Sequence, residues 1–321
     1  MDAMIKKERT FPRDIKVLQA LKRRLVDNHP QSEAVNDQLK LRLTGFKGEL
    51  SLNYPLTFLP SDHYIFHDLR LYDGTHHFQI DCLVVTPSLL IILEVKNIGG
   101  ELFFNQRFHY LERKWEEDHS TFADPVIQVG RHTRQLRKLL NLWQIPHVPI
   151  YGLVVNSHPA ARIDTDDDDL ENVIRIETLP EKISTLVEGS IPILNASPMN
   201  RLTTHLLTNH ESYFYDYVKC FKLEKEDFKK GVFCPKCSSL PMKRMHGRWK
   251  CVNCAHLSKS AHVDALEDYS LLIEDRITNQ SARDFLLISS PTSVKKLLQS
   301  MNLSTVGQNK GRAYMLDNFK C

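Results

Sequence analysis

No apolar run in the 321-residue chain is long enough to cross a bilayer. The longest, Cys82–Val85 and Leu89–Leu93, fall far short of the ~20 residues that a spanning helix needs. Met1–Asp14 is charged and has no apolar core, so nothing there resembles a signal peptide. No segment repeats another. Net charge is only +3, and the apolar (42%) and charged (25%) fractions are ordinary for a soluble globular protein. These absences make a cytoplasmic protein without membrane contacts the expectation. The length suits two or three domains with a real core.

The small net charge conceals an asymmetry. From Cys220 to Cys321 there are 17 Lys+Arg against 10 Asp+Glu, a balance of +7, whereas the preceding residues carry 25 against 29, or −4. An acidic front and a basic tail suggest that the tail meets a polyanion. Four of the seven cysteines form two Cys-x-x-Cys pairs, which in a chain without a secretion signal favours metal over disulfides.

The most informative stretch is Gln79–Lys96. Two β-branched-rich runs flank Thr86-Pro87-Ser88, which reads as a hairpin. With residues 86–89 as the loop, Val85 faces Leu90 and Asp81 stands opposite Glu94. Like charges directly opposite in a ladder repel. A divalent cation with hard oxygen ligands, Mg²⁺ or Mn²⁺, would turn that repulsion into attraction. Lys96 shares the face of Glu94 because strand side chains alternate. A solvated Glu94–Lys96 pair of small energetic value is the alternative.

Upstream, residues 14–43 read as helical with a break at His29-Pro30 and a second short helix over Ser32–Leu41. A further helix is expected from Gly45 to about Phe58, with Glu49 in its first turn, where the macrodipole favours a carboxylate. Tyr64–Leu71 reads as a strand, and His63, His67, His76 and His77 as loop or surface residues. Glu101–Tyr110 is expected to continue the sheet. Asp124-Pro125 marks a helix start, running to about Trp143, with Val129, His132, Leu136, Leu139 and Leu140 as its apolar stripe. Gln128, Arg131, Gln135 and Lys138 lie on another face, which is either a solvated outer face or a surface for a phosphate backbone. Tyr151–Asn156 reads as a buried parallel strand, Asp164–Asp169 as a solvated acidic loop, Val173–Glu177 as a strand, and Leu179–Leu186 and Ser197–Phe221 as helices. Strands alternating with helices indicate an α/β domain. Glu224–Lys230 reads as a charged linker.

Cys234-x-x-Cys237 is followed, 13 residues later, by Cys251-x-x-Cys254. Two such knuckles suit a tetrahedral Zn²⁺, and four thiolates fill its shell, so the site is expected to be structural. Lys243, Arg244, Arg248 and Lys250 surround Trp249, a basic and aromatic mixture that suits nucleic acid, although zinc ribbons also serve protein contacts. Beyond it, a helix over Asn279–Leu287 capped by Thr278, a turn at Ser289-Ser290-Pro291, a helix over Thr292–Met301 and a basic Gly-bounded turn resemble a small winged helix-turn-helix. In that reading Thr292, Ser293, Lys295 and Lys296 face the major groove, and Lys310 and Arg312 lie on the wing against phosphates. A helical cap packed on its neighbours is the alternative.

Gly48-Glu49, Gln79-Ile80-Asp81, Glu94-Val95-Lys96-Asn97 with Gly99-Gly100, and Asp124-Pro125-x-x-Gln128 together resemble the successive motifs of the nuclease-related domain (NERD) family of the PD-(D/E)xK nuclease superfamily. Ile80 stands where the superfamily's name has Pro, a change common in NERD proteins, and Asp124 replaces the usual Asn. The resemblance covers about Leu43 to Asn156. It implies a restriction-endonuclease-like mixed sheet flanked by helices. The expected layout is an N-terminal helical segment (1–42), a nuclease-like domain (43–222), a zinc ribbon (231–262) and a winged-helix-like module (270–321). The implied site is Glu49, Asp81, Glu94, Lys96 and Gln128. Asp81 and Glu94, with a backbone carbonyl near Val95, would hold the Mg²⁺ or Mn²⁺ for phosphodiester hydrolysis, with DNA the expected substrate. Lys96 would orient water and offset charge at the phosphate, Glu49 would complete a second metal site or hold an outer water, and Gln128 would position Lys96 or the backbone. A non-catalytic nucleic-acid binder built on the nuclease scaffold is the competing reading, and a zinc-ribbon adaptor for a protein partner a third.

Overall fold

The computed structural model describes residues 4–167, 170–308 and 311–316. In chain order its elements begin with β1 (Met4–Lys7), α1 (Arg13–Arg24), α2 (Ser32–Leu50), α3 (Asn53–Leu56), β2 (Tyr64–Tyr72), β3 (His77–Val85) and β4 (Leu90–Lys96). Then come β5 (Gly100–Asn105), β6 (Tyr110–Trp115), β7 (Asp118–Ala123), α4 (Pro125–Leu142), β8 (Ile150–Asn156), β9 (Ala161–Thr165), β10 (Val173–Arg175), α5 (Leu179–Val187) and α6 (Ala196–Thr208). The remainder is α7 (Tyr217–Cys220), β11 (Lys243–Met245), β12 (Arg248–Lys250), β13 (Leu257–Ser258), α8 (His262–Leu272), β14 (Arg276–Thr278), α9 (Asn279–Leu286), α10 (Pro291–Ser300), β15 (Thr305–Val306) and β16 (Ala313–Met315). The chain forms two compact units, one of residues 1–10 and 43–213, the other of 11–42 and 214–321.

The first unit is mixed α/β. Its six-stranded sheet has the order β1-β2-β3-β4-β8-β10, with β2, β3 and β4 antiparallel and the β1–β2, β4–β8 and β8–β10 pairs parallel. Both faces of the central strands are apolar. Leu83, Val85, Leu90 and Ile92 join a core with Val129, Leu136 and Leu140 of α4, while Cys82, Val84, Ile91 and Leu93 join one with Leu52, Leu56, Leu179 and Ile183. Burial on both sides explains why these strands read as continuous apolar runs. The hairpin pairs Val85 with Leu90, as expected, and the ladder continues to Cys82↔Leu93. Its turn is closed by Thr86, whose Oγ1 accepts from the Ser88 and Leu89 N–H groups.

Several elements differ from expectation. Residues 45–50 finish α2 and open no new helix, so Glu49 lies in a last turn, not a first. Gly48 does not break the helix; a Cβ there would meet Asn97 Cβ at 2.7 Å, so the glycine permits close approach to the residue after β4. β5 leaves the main sheet and joins a four-stranded one, β7-β6-β5-β9. The polar strands β6 and β7 carry too little apolar patterning to be anticipated. Asp164 and Thr165 belong to β9, paired with Phe103 and Phe104, so the acidic loop is shorter than expected; residues 168–169 lie outside the described residues. The helix expected over 197–221 ends at Thr208. His63 and His67 are buried.

The second unit holds α1, and its core runs from Val232 through Trp249 and Leu266 to Leu316. Ribbon and C-terminal helices therefore share one core, completed by α8, which the sequence pattern did not suggest. The charged linker is not solvated: Phe228 is buried and bridges Leu25, and Lys229 N–H donates to Arg24 O. Arg24 itself is buried, donates to Asp268 Oδ2 at 2.7 Å and to the carbonyls of Lys229 and Gly231, and lies over the rings of Phe233 and Phe285.

Candidate active site and metal centre

The acidic cluster of the first unit forms where β3 and β4 part. The ladder stops at Cys82↔Leu93, and the next group on β3 is the Asp81 side chain. Its Oδ2 accepts from the Val95 N–H at 2.8 Å, so a carboxylate takes the place of a backbone carbonyl. The apolar alternation shifts at the same point: Phe78 and Ile80 share a core with Leu83 and Val85, although their numbers differ in parity. Opposite Asp81, Asp68 of β2 has φ +49°. A distortion of this kind beside an interrupted ladder re-aims a side chain, as bulges do beside active sites.

Glu94 is buried, and its Oε1 accepts from Lys96 Nζ at 2.7 Å. The same amine donates to Gln128 Oε1 at 3.2 Å. Gln128 is delivered by α4, whose start is set by Asp124: its Oδ1 accepts from the Val126 N–H, with Pro125 at the first helical position. Glu94 Oε2 is buried without a hydrogen-bond partner and lies 3.8 Å from His132 Nδ1, itself buried and unpartnered. Burial, helped by Arg131 and Lys96, pushes His132 down to about 4, so the ring is neutral near pH 7.

Electrostatics favour a cation. Burial raises the Asp81 carboxyl well above the usual range, with Glu94 and Glu49 adding to the rise and the Val95 N–H and Lys96 opposing it. Burial also raises Glu94, which Lys96 and Gln128 pull back. Two crowded carboxylates, one with an unbonded buried oxygen, form a donor set of the hard type that suits Mg²⁺ or Mn²⁺. Among the described residues, however, Glu49, Asp81 and Glu94 do not close into a three-ligand cluster. Glu49 stands at the negative end of α2, an unfavourable place for a carboxylate, and pairs with Arg9 Nε at 3.4 Å.

Sequence reasoning missed Arg9, His67 and the role of His132. His132 could have been found, since it follows Gln128 by one helical turn; Arg9 lies 40 residues before Glu49 in a segment without any motif. The stripe beyond Gln128 is partly accounted for by local structure. Gln135 donates to Asp73 at 2.9 Å and Lys138 pairs with it at 3.8 Å, while Arg131 is exposed.

In the second unit the Cys234, Cys237, Cys251 and Cys254 sulfurs all lie within 4.8 Å of one another and could hold a zinc ion. The 234–254 and 237–251 separations are 3.6 and 3.5 Å, close to the edge of a tetrahedral thiolate shell with Zn–S bonds of ~2.3 Å. Trp249 is not the exposed stacking platform that its basic neighbours suggested. It is fully buried, donates Nε1–H to His262 Nδ1 at 3.2 Å, and carries Arg244 over its ring. Lys243, Arg248 and Lys250 remain exposed, as do Lys295, Lys296 and Arg312; Lys310 lies outside the described residues.

Residues 44–157 match the model of the Nuclease-related domain. No curated protein and no solved structure matches the chain. No helix among the described residues is long and apolar enough to cross a membrane.

Proposed function

We propose that the nuclease-related domain at residues 44–157 is a metal-dependent nuclease that hydrolyses phosphodiester bonds in DNA. The observation that carries this reading is the meeting of Asp81, Glu94, Lys96 and Gln128 where β3 leaves β4. Asp81 and Glu94, with the Val95 carbonyl, would hold Mg²⁺ or Mn²⁺. Such an ion, when bound, polarises the scissile phosphate and lowers the pKa of water. The Val95 N–H fixes the rotamer of Asp81, and Gln128 fixes the Lys96 amine. Lys96 then presents a positioned N–H to the attacking water or to a phosphate oxygen, and its charge offsets the charge that develops there. Glu94 accepts from the Lys96 amine and holds it in place.

The second unit supplies affinity in this reading, with a structural Zn²⁺ at the four cysteines. The order α8-β14-α9-α10-β15-β16, with its sheet arranged β14-β16-β15, supports a winged helix-turn-helix. Thr292, Ser293, Lys295 and Lys296 are the exposed face of α10, whose Val294, Leu297 and Leu298 are buried. Lys243 directly opposes Lys250 in the ribbon, a like-charge pair that a polyanion would relieve. Thiolates kept reduced for a metal fit a reducing compartment, so we place the protein in the cytoplasm.

The test is cleavage of linear, circular and single-stranded DNA and of RNA, with and without Mg²⁺ or Mn²⁺. Cleavage should require the ion and should fall by about 10²–10³ in Asp81→Ala and Lys96→Ala. Activity that persists in metal-free buffer, or in both variants, refutes the proposal. Binding without cleavage under every metal would instead support a non-catalytic binder on the nuclease scaffold.

A further inference from the structure

Arg9 is the least expected member of the site. It lies before residue 44, outside the matched domain, and reaches Glu49 only because β1 adds to the edge of the sheet. β1 pairs in parallel with β2, and Lys7 Nζ donates to the carbonyls of His67 and Asp68 at 2.9 and 2.8 Å, which ties down the chain just before Arg9.

The Arg9 side chain is only 5% exposed. Its Nη1 donates to Asn53 Oδ1 at 2.9 Å and its Nη2 meets His67 Nδ1 at 2.9 Å. A guanidinium has no acceptor, so His67 must accept, and burial together with Arg9 and Lys7 holds that ring neutral by lowering its pKa to about 3. Nε is buried without a hydrogen bond and faces Glu49 Oε2 at 3.4 Å. The guanidinium is thus held from two sides and aimed at a carboxylate whose charge reaches Asp81. Arginine stays charged under all working conditions.

We propose that Arg9 is a built-in cation at the Glu49 side of the site, so that Glu49 is committed to it and the site takes one divalent ion, not two. The proposal rests on the metal-site reading given above. Charge balance favours it. Glu49, Asp81 and Glu94 as carboxylates, set against Arg9 and Lys96, leave one net negative charge. One divalent ion and one phosphodiester bring that to neutrality, whereas a second divalent ion would leave a surplus of positive charge in a partly buried site, which is unfavourable. Arg9 is a positioning residue in this scheme: it touches Glu49, not the reacting atoms.

The test counts bound Mn²⁺ on the full zinc-loaded chain, from the electron paramagnetic resonance signal of the free ion. Wild type should bind one Mn²⁺, assigned to this site by its loss in Asp81→Asn. Arg9→Gln should bind a second, because the fixed cation that faces Glu49 is removed. Arg9→Gln/Glu49→Gln should return to one. Two ions on wild type, or one ion on a folded Arg9→Gln, overturns the inference and leaves the metal site standing. No ion on wild type overturns the metal site and this inference with it. Where Arg9→Gln does not fold, the double variant decides: one ion at wild-type affinity supports the proposal, and weaker or absent binding shows Glu49 to be a ligand and overturns it.

Discussion

Replacing Asp81 by Asn should make the metal-free protein more stable while abolishing cleavage. The amide oxygen of Asn can still accept from the Val95 N–H that Asp81 Oδ2 now takes at 2.8 Å. What disappears is a half-buried charge beside Glu94 and Glu49. Carboxylates ~6 Å apart repel by about 3 kcal/mol at an effective dielectric of ~20. Lys96, at 2.7 Å from Glu94, cancels part of this. About 1–2 kcal/mol of relief remains, and for a unit of this size that corresponds to roughly 2–8 °C in Tm. The sign with pH follows from the direction of the shift. A carboxyl whose folded pKa is raised contributes stability that is complete below its unfolded pKa of ~3.9 and is lost as pH rises through the folded value. Wild type and Asp81→Asn should therefore melt alike near pH 4 and diverge above it. Calorimetry in Mg²⁺-free buffer, without a chelator that would strip zinc, measures the difference. Adding Mg²⁺ should raise the wild-type Tm and leave the variant unmoved. A variant that melts at or below wild type at pH 7.5 would refute the electrostatic account.

Three further outcomes are expected. Gly48→Ala should destabilise by about 1–3 kcal/mol in denaturant melts, even though Ala is the better helix former by ~1 kcal/mol, because the new Cβ would lie 2.7 Å from Asn97 Cβ, an atom next to the backbone that cannot swing aside. Stripping zinc, or Cys251→Ser, should lower the melting temperature of the second unit, since Cys234 and Cys251 sit in the same core as Trp249 and Leu266; an unchanged melt would show the metal to be dispensable. Lys295→Gln should weaken DNA binding across all sequences and reduce the slope of log K against log salt by about 1, and an unaltered slope would remove α10 from the interface.

Local chemistry set much of the fold. The hairpin register follows from two apolar runs and a Thr-Pro-Ser turn, and the start of α4 from Asp124-Pro125. Thr278 caps α9 as its sequence suggests, and the cysteine spacing anticipates the thiolate cluster. Each is decided by residues a few positions apart, so each is visible without tertiary information. The polar strands β6 and β7 and the helix α8 were not visible, because what holds them is a partner elsewhere in the chain.

For the acidic site, alternation along β4 already put Lys96 beside Glu94, and the hairpin register brought Asp81 to the same end of the strands, but the expected Asp81–Glu94 pair is not formed, because the ladder ends at Cys82↔Leu93. The sequence also supplied, through motif order, the candidates Glu49 and Gln128. How they are used depends on contacts between distant parts of the chain. Where the ladder stops, opposite the positive φ of Asp68, the Asp81 carboxylate turns onto the Val95 N–H. α2 continues through Gly48, which puts Glu49 at the unfavourable end of a helix and makes a partner necessary. That partner, Arg9, arrives on an edge strand from a segment with no motif. Side-chain periodicity is a short-range property, whereas the neutralisation of a buried charge depends on whichever part of the chain the fold brings within a few ångströms.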